Sequence, residues 1–204
     1  RRWADFDRLV RCYDLPTPQG FFTVQNFNAS LADTLRAQHR SNAHPLDQYV
    51  HNGTQTGRNL MAVEDRHLRA FFSAVDNSVR DYVTRLRASP NDPVGQRRRE
   101  GYRFASLSSL RLTDGGYQPN HVHDRGWISS AYYVALSPAE KHEPRAGALK
   151  FGEPNRPIRG CTPEKIIEPR PGLLVLFPSY MWHGATPFDV DGERLSAAFD
   201  LVPA

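Results

Sequence analysis

The clearest pattern in the chain is an apolar stripe in which Leu68, Phe71, Phe72, Val75, Val79, Tyr82, Val83 and Leu86 follow at spacings of 3, 1, 3, 4, 3, 1 and 3. That is one face of a helix of about six turns packed on a core, with Asp65 placed to cap its start. Ser89-Pro90 should end it, because proline disfavours α geometry in the residue before it, and PNDPVG then reads as a loop. A shorter helical pattern, LADTLRAQHR from Leu31 to Arg40, follows Asn28 and Ser30, either of which can cap it. From Tyr102 onward the period changes to two. YRFASLSSLRL, WISSAYYVAL, GALKFG, KIIEP, GLLVLFP and RLSAAFDLV are six predicted strands separated by Gly, Pro, Asp and Asn. Short strands after a helical start predict an α+β, mainly β fold, an antiparallel sandwich or barrel with N-terminal helices packed outside.

Composition narrows the picture. At 204 residues, 39% apolar and 24% charged, the chain reads as one globular domain spanning 1–204, with a helical part over 1–100 and a β core over 101–204. Its longest apolar run, Leu173 to Phe177, is too short to span a bilayer. RRWADFDRLV carries charges where a signal peptide needs an apolar stretch, so the expected compartment is the cytoplasm, with no membrane partner. Cys12 and Cys161 are too isolated for a zinc spacing or a disulfide framework and read as thiols. The net charge of +4 is almost wholly arginine, the lysines being Lys141, Lys150 and Lys165. The one concentrated cluster, QRRRE from Gln96 to Glu100, has no interleaved aromatics to stack bases; it reads as a solvated loop, and nucleic acid is not an expected partner.

Candidate chemistry begins at NHVHDRGW, Asn120 to Trp127. In an extended chain His121 and His123 project to one face and Val122 to the other, so a single metal ion can touch both imidazoles. A third histidine, His183 in PSYMWHG, follows the most apolar strand, and Arg194 opens the last one. If the strands close into a double-stranded β-helix, the start of WISSAYYV and the end of GLLVLF meet at one mouth and the three histidines converge. Two ligands close in sequence and one distant is how a facial three-ligand iron site is usually assembled.

Taken together, the histidine-x-histidine, GWISSAYYV, PRPGLLVLFPSYMWHG and ERLSAAFD segments from Leu110 to Pro203 resemble the iron(II)/2-oxoglutarate dioxygenases, specifically a bacterial and phage group; upstream HNGTQTGRNL resembles a GTQT segment of the same group. The resemblance implies a double-stranded β-helix of jelly-roll, cupin-like form. It also implies Fe(II) and 2-oxoglutarate as cofactors, O2 as co-substrate, and oxidation of a substrate C–H bond with release of succinate and CO2. It makes His121 and His183 iron ligands. Arg194 and Ser196 match an R-x-S feature that grips the remote carboxylate of 2-oxoglutarate through a planar fork and a hydroxyl. Tyr132 lies where some relatives, prolyl hydroxylases among them, place a hydroxyl on that carboxylate. The family at large reads His-x-Asp, whereas here the position after the spacer is His123 and the aspartate is Asp124; alternation favours His123 as third ligand, and a bulge would favour Asp124.

Two rival readings stand beside this one: a three-histidine iron dioxygenase of the thiol-oxidising cupin type that does not use 2-oxoglutarate, and a non-catalytic jelly-roll binding module. Asn120 reads either as orienting a ligand imidazole or as a turn residue, and Thr54, Gln55 and Thr56 as a polar lid or a turn made by Asn52-Gly53. Trp127 and Trp182 read as wall packing, Glu168 and Asp200 as strand charges, and His39, His44, His51, His67 and His142 as surface histidines. The primary substrate, whether small molecule, peptide or protein, is not specified by these motifs; analogy with group members found downstream of tetratricopeptide-type repeats suggests a peptide or protein.

Overall fold

The computed structural model describes residues 4–40, 50–86, 92–137, 145–189 and 191–204. The elements run α1 (Phe6–Leu9), β1 (Arg11–Asp14), α2 (Val24–Arg36), β2 (His51–Gln55), a 3-10 turn (Leu60–Ala62), α3 (Arg66–Arg85), α4 (Pro93–Gln96), β3 (Tyr102–His121), β4 (Ile128–Leu136), β5 (Leu149–Phe151), β6 (Lys165–Ile167), β7 (Leu173–Pro178), β8 (His183–Phe188) and β9 (Glu193–Pro203). Strands pair antiparallel in the order β1-β7-β4-β9-β3-β8-β5-β6, with β2 also on β3. The fold is the expected mainly β jelly-roll with helices outside.

The long strand β3 makes this curl possible. Its first part, Tyr102 to Thr113, pairs with β9, and its last part, Gly116 to His121, pairs with β8. Between them Gly115 has φ 68, and a Cβ on Gly116 would lie 2.3 Å from the Asn52 carbonyl and 2.6 Å from the Thr113 carbonyl. Only glycine lets the strand turn there from one sheet into the other.

Period-two alternation gives the larger sheet two different faces. Outward on β9 and β7, Leu195, Ala197, Phe199, Leu201, Leu174 and Leu176 are buried, and Phe71 of α3 packs on the outer face at 6.1 Å from Phe199 and 5.1 Å from Tyr132. The helix stripe thus meets the strand stripe, joining Phe6 through Leu201 in one apolar cluster. Inward, a smaller cluster of Leu110, Leu112, Ala185 and Phe188 fills the space between the two sheets. The candidate residues lie beside it.

Several expectations change. The Leu31 pattern belongs to a helix that begins at Val24, because Thr23 caps it by accepting from the Asn26 amide; Asn28 is buried inside that helix instead of capping it. The N-terminal part is not helical alone, since β1 and β2 join the sheet, and GTQT runs into the strand β2 where a turn was the alternative. β8 lacked a strand signal because HGATPF has no apolar alternation and contains a proline. His44, His142, Ser89 and Pro90 lie outside the described residues. Among the described residues no helix is long and apolar enough to cross a membrane.

Asp65 caps α3 as expected, accepting from the His67 amide at 2.7 Å and the Leu68 amide at 3.1 Å. Asp65→Ala should therefore lower unfolding free energy by about 1 kcal/mol while leaving metal affinity unchanged, measured by urea denaturation alongside metal titration.

Candidate metal centre

Backbone pairing brings the histidines together. Ile128 at the start of β4 pairs with Pro178 at the end of β7, and the His123 amide donates to the Ser179 carbonyl at 2.9 Å. The end of β3 pairs with the start of β8, so that His121 stands opposite His183. Ligand nitrogens of His121, His123 and His183 then lie within 4.8 Å of one another. Phe177 packs edge-on against His183 at 4.6 Å between ring centroids, closing its ring off from water.

The hydrogen bonds fix the tautomers. His121 Nδ1 meets the Pro119 carbonyl at 2.9 Å, His183 Nδ1 meets the Met181 carbonyl at 2.9 Å, and His123 Nδ1 meets the Asp200 carboxylate at 2.8 and 2.9 Å. Carbonyls and an ionised carboxylate only accept, so each Nδ1 carries a hydrogen, which places the lone pair of a neutral ring on Nε2. The Nε2 atoms of His121 and His123 are 3.1 Å apart. Two lone pairs at that separation repel unless a proton or a metal ion lies between them, and with His183 alongside the donor set fits a metal ion of the kind that imidazoles hold. Burial, reinforced by His123 and opposed by the Pro119 carbonyl, pushes His121 down to about 4; burial and the two neighbouring imidazoles push His183 well below its usual range. His121 and His183 are therefore neutral near pH 7, as ligation requires.

Arg194 lies on the same inner face. It is buried at 3% exposure, its Nε has no hydrogen-bond partner, and its guanidinium carbon sits 4.8 Å from the centre of the Tyr133 ring. No carboxylate of the described residues lies within ion-pair distance of it. Gly147, with φ 63, makes room for its stem, since a Cβ there would lie 2.6 Å from Arg194 Cδ. A cavity of about 100 Å³ joins Arg194 and Ser196 to the three histidines. A buried, unpaired guanidinium opening into a cavity invites an anion.

Tyr132 is not brought to this cavity. Its hydroxyl donates to Asn28 Oδ1 at 2.6 Å on the helix side of the sheet, because Tyr132 pairs with outward-facing Ala197. Tyr133, which pairs with Ser196, is the tyrosine on the inner face. Asp124 is exposed and contributes no atom to the histidine cluster. Asn120 donates to Glu153 and to the Pro154 carbonyl, so it orients no ligand ring. The side chain that meets one of the three rings is Asp200, bound to His123 Nδ1, and it also accepts from Ser129 at 2.6 Å and Ser106 at 3.1 Å. The signal for Asp200 was its spacing: Arg194, Ser196, Ala198 and Asp200 alternate onto one face. Gln55, from the GTQT strand, also lines the cavity. Trp127 is wall packing, its indole donating to the Val94 carbonyl at 2.8 Å. In the arginine cluster, Arg97 donates to the Gly126 carbonyl beside the ligand loop.

His39 is not a surface histidine. Its Nδ1 meets Thr54 Oγ1 at 2.7 Å and its Nε2 meets Ser109 Oγ at 3.1 Å, tying the end of α2 to β2 and β3.

Residues 108–200 match the family model described as "Putative 2OG-Fe(II) oxygenase". No curated protein sequence matches the chain significantly. Among solved structures, a Pseudomonas putida prolyl-4-hydroxylase is similar at TM-score 0.62 and 15% identity, over 98% of this chain and 96% of that one. The 2-oxoglutarate complex of a viral collagen prolyl hydroxylase from Paramecium bursaria Chlorella virus-1 gives 0.59 and 14%, over 96% and 97%. SnoN, an epimerase from nogalamycin biosynthesis, gives 0.62 and 14%, over 100% and 82%.

Two measurements follow from this geometry. Removing the Tyr132 hydroxyl strands Asn28 Oδ1, so Tyr132→Phe should cost about 1–3 kcal/mol of stability and leave 2-oxoglutarate affinity unchanged; a selective loss of affinity would return Tyr132 to the site. Burial, with the charge of Arg111 adding to it, pushes His39 down from 6.5 to about 4. Above pH 6.5 the ring is neutral folded and unfolded, but between 6.5 and 4 the unfolded chain takes up a proton that the folded chain refuses. Stability should therefore fall as pH drops through that window, and His39→Gln should flatten the fall in denaturation midpoints.

Proposed function

We propose that this chain, whose residues 108–200 match the 2OG-Fe(II) oxygenase family model, holds iron(II) on His121, His123 and His183 and fixes the far carboxylate of 2-oxoglutarate with Arg194 and Ser196. The observation that carries the reading is a buried guanidinium without a carboxylate partner among the described residues, opening into the same cavity as three converging imidazoles. When bound, iron with 2-oxoglutarate and O2 supplies oxidation of a substrate C–H bond coupled to release of succinate and CO2. The protein's part is positioning. Arg194, braced against Tyr133 and backed by Gly147, presents a fixed fork to a dianion, and Ser196 two residues on adds a hydroxyl from the same strand face. Phe177 and the apolar inner cluster keep water from His183. Gln55 and Gln118 line the cavity that a substrate would enter.

A peptide or protein is the first substrate class to test, since two of the similar structures are prolyl hydroxylases. SnoN, an epimerase on the same fold, shows that the fold does not by itself choose the outcome of oxidation. Cys12 and Cys161 are exposed thiols that suit a reducing compartment such as the cytoplasm.

Anaerobic titration with Fe(II) and then 2-oxoglutarate should produce the visible charge-transfer band of a chelated 2-oxo acid. His183→Ala should abolish it. Arg194→Ala should retain iron and weaken 2-oxoglutarate binding by roughly 30-fold or more, the cost of about 2 kcal/mol expected for losing a buried charge partner. Bound iron with no band would favour the three-histidine reading without 2-oxoglutarate, which the absence of a carboxylate from the ligand cluster makes the second candidate.

A further inference from the structure

Imidazole ligands bring no negative charge to a dication. Among the described residues, the carboxylate in contact with the cluster is that of Asp200, one hydrogen bond behind the ring of His123, at 2.8 and 2.9 Å from Nδ1. Its surroundings are built for an ionised group. Ser129 donates to Oδ1 and Ser106 to Oδ2, and Ser129 is itself held at 2.8 Å from Ser179. With His123 these supply donors alone, which suits an acceptor bearing no proton. The side chain is only 21% exposed, and no lysine or arginine of the described residues lies within ion-pair distance of it. A largely buried carboxylate without a cationic side chain needs its counter-charge from elsewhere. The geometry offers a route through the imidazole it touches, towards the point where the Nε2 atoms of His123 and His121 converge.

We infer that Asp200 is the charge-compensating residue of the metal centre, lending anionic character to His123 so that the His123–Asp200 pair acts as one extended anionic ligand. This rests on the three-histidine reading above and deepens it. Asp200 is a positioning residue, since it touches neither metal nor substrate. Two effects follow. The ring of His123 is locked in the tautomer and orientation that ligation needs, and its Nε2 becomes a stronger donor than those of His121 and His183, whose Nδ1 groups rest on neutral carbonyls. Removing the charge while keeping the shape separates these effects, because an asparagine oxygen still accepts from Nδ1 and orients the ring.

The test compares wild type with Asp200→Asn, Asp200→Ala and His183→Ala, each first shown to fold by its thermal unfolding without metal. Affinity for Ni(II) and anaerobic Fe(II) is measured by calorimetry, and the potential of the bound iron by spectroelectrochemistry. Asp200→Asn is expected to weaken metal binding by about 10- to 100-fold and to shift the iron potential in the positive direction, because Fe(III) loses more than Fe(II) when negative charge is withdrawn. Ser129→Ala should move both quantities the same way by less. If wild type binds metal, His183→Ala loses it, and Asp200→Asn matches wild type in affinity and potential, the charge role is wrong and Asp200 merely orients the ring. If wild type binds no metal, or His183→Ala binds as well as wild type, the three-histidine reading itself fails.

Discussion

The structure depends on β9 lying between β4 and β3 with a different chemistry on each of its faces. Leu195, Ala197, Phe199 and Leu201 point outward and give α3 an apolar surface to pack on, while Arg194, Ser196, Ala198 and Asp200 point inward. A one-residue slip would exchange these sets, burying a guanidinium and a carboxylate under the helices and exposing leucines to the cavity. The cost of that exchange makes the register very secure. The same pairing that stabilises the core therefore positions both charged groups of the candidate site.

A second requirement is that two sequence-distant segments end at the same place. β3 delivers His121 only because Gly115 and Gly116 let it leave one sheet and enter the other, and β8 delivers His183 by pairing with that displaced end. The ligand loop is then tied to the end of β7 by the His123 amide and to β9 by Asp200. Backbone hydrogen bonds thus place the imidazoles, and the accepting groups at Nδ1 decide which nitrogen each ring offers. The burial that makes protonation of His121 and His183 unfavourable also keeps them available as ligands. Electrostatically the cavity is divided, with an unpaired guanidinium at one side and a shielded carboxylate behind the histidines at the other.

Much of this was legible in the chain. The α3 stripe, its Asp65 cap and six of the strands follow from local periodicity, the histidine pair from its spacing, and the roles expected of His121, His183, Arg194 and Ser196 from the family resemblance. Other features were hidden for definite reasons. Tyr132 and Tyr133 are adjacent and identical, so alternation alone says that one faces inward and the other outward without saying which. His39 finds its partners 15 and 70 residues away. β8 is a strand because β3 and β5 flank it, not because HGATPF favours extended structure. Asp200 looked like a strand charge until His123, 77 positions earlier, came to rest against it.

By itself the sequence determined the alternating faces of the strands, the amphipathic helix that covers one of them, and the presence of three histidines and an R-x-S pair in an order that suits one metal site. These are properties of side-chain period and residue chemistry, and they survive without knowledge of partners. Tertiary structure decided which tyrosine faces the cavity, which carboxylate stands behind the three histidines, and that Arg194 is buried with no carboxylate partner among the described residues. Those depend on strand register and on contacts between residues far apart in the chain, where a shift of one position reverses the face and leaves the local pattern unchanged.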